Sequence, residues 1–168
     1  MNPRALLKHL GFAAVAALSV GCVTESDYTP LAFDCPTETD WPIVSQTLER
    51  RCGTLDCHGD PGRPFRLYGR NGARLDPNDV VGGTDGTSTA ELRENRASAC
   101  GLEPEKMAAV VNDGEDIETL TLVRKPRLIE AHKGGLVWQA DSPGFVCLSS
   151  WLAGDVDRAA CEAEIAEP

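Results

Sequence analysis

Apolar positions recur at helical spacing through most of the chain from Asp40 onward. Asp40-Trp41-Pro42 predicts the start of a first helix, with Pro42 suited to the first helical position, where no backbone N–H is needed. Ile43, Val44, Thr47, Leu48 and Arg51 then share one face, and Cys52-Gly53 ends the run. Ser88 stands three residues before Glu91, which predicts a capping box opening a second helix that stops before Gly101. Glu103-Pro104 begins a third, with Met107, Val110 and Val111 inward and Asn112-Asp113-Gly114 breaking it. Ser142-Pro143 begins a fourth, with Phe145, Leu148, Trp151 and Leu152 on its apolar side and Gly154 just past its end. A short helix around Ala159 to Ile165 closes the chain. Ile117 to Val123 reads as strand or helix, limited by Pro126. Gly59 to Thr87 is rich in Gly, Pro, Asp and Asn and reads as a long irregular connection. With no alternating strand series, the expected fold is mainly α, small and loop-rich.

The N-terminus has a different pattern. Arg4 and Lys8 precede the apolar run Leu10 to Leu18, and small residues then lead to Cys22, as in a secretory signal over 1–21. The run is too short to span a bilayer comfortably. Leu18-Ser19-Val20-Gly21-Cys22 resembles the lipobox of bacterial lipoproteins, although Ser19 departs from the usual leucine. The resemblance implies diacylglycerol on the Cys22 thiol and cleavage before it. Residues 22–34, polar with Pro30, read as a tether, and 35–168 as the folded domain. This places the chain in the cell envelope, lipid-anchored at the outer membrane or at the periplasmic face of the inner membrane.

Charge supports that placement by exclusion. The chain carries a formal net charge of −10, and losing Arg4 and Lys8 makes the mature part −12. Such a surface repels nucleic acid and anionic headgroups, so contact with a membrane falls to the N-terminal lipid. A modest core with 5% aromatics, 16 Gly and 11 Pro calls for covalent help. In an oxidising compartment, the six cysteines other than Cys22 fit three disulfides, or two disulfides plus a pair with another use.

The candidate chemistry lies in Cys52-Gly53-Thr54-Leu55-Asp56-Cys57-His58-Gly59. Covalent haem attachment needs two thiols and a histidine beside the second, and Cys57-His58 supplies that adjacency. Four residues separate the cysteines where two are usual. The cluster, Phe65-Arg66-Leu67-Tyr68, Ala131-His132-Lys133-Gly134-Gly135, Cys147 and Ser150-Trp151-Leu152-Ala153-Gly154 together resemble the cytochrome c-like domains of bacterial surface lipoproteins. That resemblance covers most of Asp40 to Gly154. It implies haem c held by Cys52 and Cys57, His58 as proximal iron ligand, and single-electron exchange with a redox partner protein.

Past the signal, only His132 and Met107 can supply the distal ligand among histidines and methionines. His132 is favoured because Gly134-Gly135 lets backbone approach a planar ring closely. Met107, the runner-up, lies at helical spacing with Val110 and Val111 and reads as core. In the haem reading Cys35, Cys100, Cys147 and Cys161 pair among themselves in one of three ways. Cys147–Cys161 is preferred because the two closing helices can bring them together, leaving Cys35–Cys100. The competing reading is a haem-free, disulfide-stapled envelope lipoprotein with a structural or interaction role, in which Cys52 bonds to Cys57. Zinc lacks a fourth ligand. Nucleophile-elbow, Walker A and His-Glu-x-x-His sequences are missing, so the chain reads as a non-enzyme. Gly82 to Gly86 reads as a flexible loop, and Asp113, Glu115, Asp116 and Glu118 as a solvated face without calcium-loop spacing.

Overall fold

In the computed structural model, residues 34–167 are described. Residues 1–33, which include the expected signal segment and Cys22, lie outside them. Six α-helices follow in chain order: α1 Trp41–Cys52, α2 Thr89–Cys100, α3 Pro104–Asp113, α4 Thr121–Arg124, α5 Pro143–Leu152 and α6 Arg158–Ala166. A 3₁₀ turn, Ile117–Thr119, precedes α4. The described residues form no strand, and no helix among them is long and apolar enough to cross a membrane. The domain is therefore mainly α and small, with two disulfides.

The helix ends follow local chemistry. Pro42, Pro104 and Pro143 each sit in a first turn, where a missing N–H costs nothing. Ser88 accepts from Glu91 N while the Glu91 carboxylate accepts from Ser88 N, so both halves of the capping box form. Gly114 ends α3 at φ 68°, a left-handed conformation that suits glycine. The ambiguous segment resolves into the 3₁₀ turn and one turn of α-helix, too short for apolar periodicity to reveal.

α1 is the hub, packing against α2, α5 and α6, while α5 and α6 pack on each other. Its buried side is Trp41, Val44, Ser45, Thr47, Leu48 and Cys52. Ile43 is only half-buried, and Arg51 stays at the surface to pair with Glu164 and Glu167 of the C-terminal segment. The rings of Trp41 and Trp151 pack at 4.9 Å between centres, tying α1 to α5. Cys147–Cys161 joins α5 to α6, and Cys35–Cys100 ties the chain before α1 to the end of α2. This is the connectivity preferred from the sequence under the haem reading.

The long connection 59–87 has no regular structure, yet side chains from α2 hold it in place. Asn95 accepts from Tyr68 N at 2.6 Å and donates to Tyr68 O at 2.8 Å. Ser98 accepts from Arg66 N at 2.7 Å. Thr87 donates to Glu49, whose carboxyl is pushed above its ordinary pKa by burial despite its bonds to Thr87, Ser45 and Asn95.

Candidate functional site

The loop after α1 is folded by its own backbone. His58 N donates to Cys52 O at 2.9 Å, and both Cys57 N and Gly59 N donate to Thr54 O. The four residues between the cysteines therefore form a closed turn that brings His58 back beside the end of α1. The loop then docks on the long connection, with Leu67 N donating to His58 O and Ala73 N to Gly59 O, both at 2.7 Å.

Gly59 is required by that docking. A Cβ there would stand 2.3 Å from Gly53 O and 2.6 Å from Gly72 Cα, both of them backbone atoms. Gly59→Ala must move one strand of the loop against the other. Overpacking of this kind costs about 1–3 kcal/mol, to be read as a lower urea midpoint with unchanged slope. A midpoint equal to wild type would contradict the close approach.

Cys52 and Cys57 are both free thiols, Cys52 buried and Cys57 exposed. The Cys52–Cys57 disulfide of the competing reading is not formed. Burial is the main reason that the Cys52 thiol is pushed up to about 12, with Cys57 and Glu164 adding to it. Cys52 is therefore a neutral thiol at pH 7.

His58 and His132 come from distant parts of the chain and lie near each other with near-parallel ring planes. Their ring centres are 6.3 Å apart and their planes differ by 17°. Each ring is held by its other nitrogen: His58 Nδ1 lies 2.8 Å from Phe65 O, and His132 Nδ1 lies 2.9 Å from Gly135 O. A carbonyl only accepts, so each Nδ1 is the N–H donor, which leaves Nε2 as the ring nitrogen able to bind a metal. Burial, partly opposed by the Phe65 bond, pushes the His58 pKa below the usual imidazole value, and His132, Arg63 and Lys125 push it the same way. His58 is thus neutral at pH 7, the form that binds metals.

Both histidines line an apolar cavity of about 150 Å³, shared with Leu48, Cys52, Phe65, Leu122, Lys125 and Trp138 among others. The Phe65 ring packs against His58 at 4.8 Å. Gly134 leaves room for the second histidine, since a Cβ there would stand 2.9 Å from the His132 ring. Gly135 takes φ 72° to turn its carbonyl onto Nδ1.

Of the residues singled out in the sequence, Cys52, His58 and His132 thus share one cavity. Neither Cys57 nor Met107, which is buried in the core, is among the residues lining it. The acidic run Asp113 to Glu118 faces solvent. No group of three or more His, Cys, Asp or Glu side chains among the described residues is placed to hold a metal ion. Sequence reasoning missed Trp138, which is buried on the cavity wall and donates through its indole N–H to Glu164 at 3.1 Å. It also missed the two carbonyls that orient the imidazoles, because a backbone acceptor leaves no mark on residue type. Compared with known protein families, curated proteins and solved structures, the chain matches none.

Proposed function

We propose that this domain is a monohaem electron carrier of the cytochrome c type, on a chain exported and lipid-anchored through Cys22. The observation that carries the reading is the pair of oriented imidazoles lining one apolar cavity beside a free buried thiol. Two imidazole nitrogens bonded to one metal ion at about 2 Å each put the ring centres roughly 6 Å apart. The separation here is 6.3 Å. Bonds from Nδ1 to backbone carbonyls are the usual way a protein fixes the tautomer and direction of a ligating histidine. Two histidines alone would leave a bare ion short of ligands, whereas a porphyrin brings its own four nitrogens.

Haem c, when bound, supplies a one-electron iron couple. His58 and His132 would hold the iron through Nε2, Cys52 and Cys57 would carry the thioethers, and Leu48, Phe65, Leu122 and Trp138 would keep water from the ring. An apolar surround and two nitrogen ligands are the levers by which the protein sets such a potential.

The test is expression in a host equipped for cytochrome c maturation, followed by visible spectroscopy and intact mass. Sharp reduced-state bands are expected, with a haem mass that survives denaturation and is lost in Cys52→Ala/Cys57→Ala. A colourless protein with Cys52 bonded to Cys57 would end the electron-carrier reading and leave a haem-free, disulfide-stapled envelope scaffold.

A further inference from the structure

We infer that Glu164 is a positioning residue of the cavity, and that its buried carboxylate lowers the reduction potential of iron held there. The second half rests on the proposed function, and the first does not. Glu164 lies on α6, one turn after Cys161, whose disulfide ties that helix to α5. Its side chain is 1% exposed. Three donors from outside α6 converge on it. Trp138 Nε1 donates to Oε1 at 3.1 Å, Gly144 N donates to Oε2 at 2.9 Å, and Arg51 donates to Oε1 through Nε. Trp138 is a wall of the cavity, and Arg51 directly precedes Cys52, another wall residue. One carboxylate therefore ties together two parts of the wall around the space that His58 and His132 share.

The fit leaves no slack. A Cβ at Gly144 would stand 2.3 Å from Trp138 Nε1 and 2.7 Å from Glu164 Cδ, so bare backbone is needed for the carboxylate to reach both donors. Hydrogen bonding does not require a charge at this point, since the amide oxygen of a glutamine accepts in the same way. Stability does not require one either, because a buried ion pair is often no better than apolar residues of the same volume. A charge against the ring of Trp138 does act on an electron in the cavity. In a buried, low-dielectric setting its field reaches further than that of a surface carboxylate. Negative charge favours the oxidised, more positive iron and so lowers the potential. Arg51 offsets this only in part, because its side chain is 34% exposed and is shared with Glu167, whereas Glu164 is sealed from solvent.

The experiment uses the full chain, prepared with haem c in a host equipped for its attachment and, separately, haem-free. Spectroelectrochemistry of the loaded protein reads the midpoint potential. Glu164→Gln is expected to raise it, changing the ratio of reduced to oxidised protein at a fixed potential by about tenfold. Arg51→Gln should lower it, since the carboxylate is then unopposed. Opposite signs separate charge from packing, because a loosened wall would admit water in both variants and move both potentials the same way. In the haem-free protein the indole N–H resonance of Trp138, assigned by its loss in Trp138→Phe, should move upfield in Glu164→Gln, where a neutral acceptor replaces a charged one. An unmoved potential in Glu164→Gln, or one sign in both variants, overturns the tuning, and an unmoved indole resonance overturns the positioning. If Glu164→Gln does not fold, Arg51→Gln decides, and a potential at or above wild type overturns the tuning. A colourless protein ends the electron-carrier reading and the tuning with it, leaving the positioning to the indole resonance. A coloured one with an unmoved potential keeps the electron carrier and removes the tuning alone.

Discussion

His132→Ala is expected to leave haem covalently attached while converting a low-spin spectrum into a high-spin one. His58→Ala should do more, removing the ligand nearest the thioethers and depleting mature protein. The difference follows from where each ring is held. His58 is part of the closed turn after α1, with its N–H on Cys52 O and its ring between Phe65 O and the cavity. Its loss disturbs both ligation and the turn that presents Cys57. His132 sits on a loop that closes on itself, with Gly135 N donating to His132 O and the ring bonded back to Gly135 O. Removing that ring leaves the thiols and His58 where they are. Axial ligands set the field at the iron, while thioethers only tether the macrocycle, so spin state and attachment should separate cleanly. Absorption and electron paramagnetic resonance of the oxidised variants read the first, and denatured mass reads the second. An unchanged low-spin spectrum in His132→Ala would place the distal ligand elsewhere, with Met107 the next residue to test.

The site was legible in residue types and not in arrangement. Cys57-His58 and His132-Lys133-Gly134-Gly135 were visible because ligating chemistry needs those side chains. Their meeting depends on loops whose anchors are nonlocal. Asn95 and Ser98 fix Tyr68 and Arg66 from a helix some thirty residues away, and polar residues on a helix surface give no sign of which backbone they will satisfy. The helices were far easier, since Pro42, the Ser88–Glu91 box, Pro104 with Gly114, and Pro143 with Gly154 are signals spent within one turn. Ile117 to Val123 stayed ambiguous because a 3₁₀ turn and a four-residue helix are shorter than the period that identifies either. Leu128, the one described non-glycine residue with positive φ, was invisible for the opposite reason: its residue type argues against the conformation it adopts.

Glu91→Ala should be among the more destabilising single substitutions in the domain, at about 1–3 kcal/mol, because it leaves the buried Arg74 with Asp79 as its ionic partner and takes the acceptor from Leu75 N and Ser88 N. Arg74 and Glu91 are both sealed from solvent, with side chains 2% and 0% exposed. They meet in a fork, Nε to Oε1 at 2.8 Å and Nη2 to Oε2 at 3.1 Å. Glu91 also accepts from Leu75 N at 3.1 Å and Ser88 N at 2.8 Å. Burial alone would raise its pKa, but Arg74 and these two N–H groups outweigh it and hold the carboxyl at about 2. Against an unfolded value near 4.3, that difference is worth about 3 kcal/mol, present above the unfolded value and lost as pH falls toward 2. Measured by urea between pH 7 and pH 2, wild type should therefore lose stability steeply below about pH 4.3, whereas Glu91→Gln should start lower and fall less. A shared acid slope would show that Glu91 is not the group responsible. The consequence reaches the cavity of His58 and His132 through the backbone. Arg74 follows Ala73, whose N–H holds Gly59 O, and Gly59 follows His58. Losing the Arg74–Glu91 pair should loosen the presentation of His58 before the helices unfold, so haem attachment in Glu91→Ala should fall at temperatures where its helicity is intact.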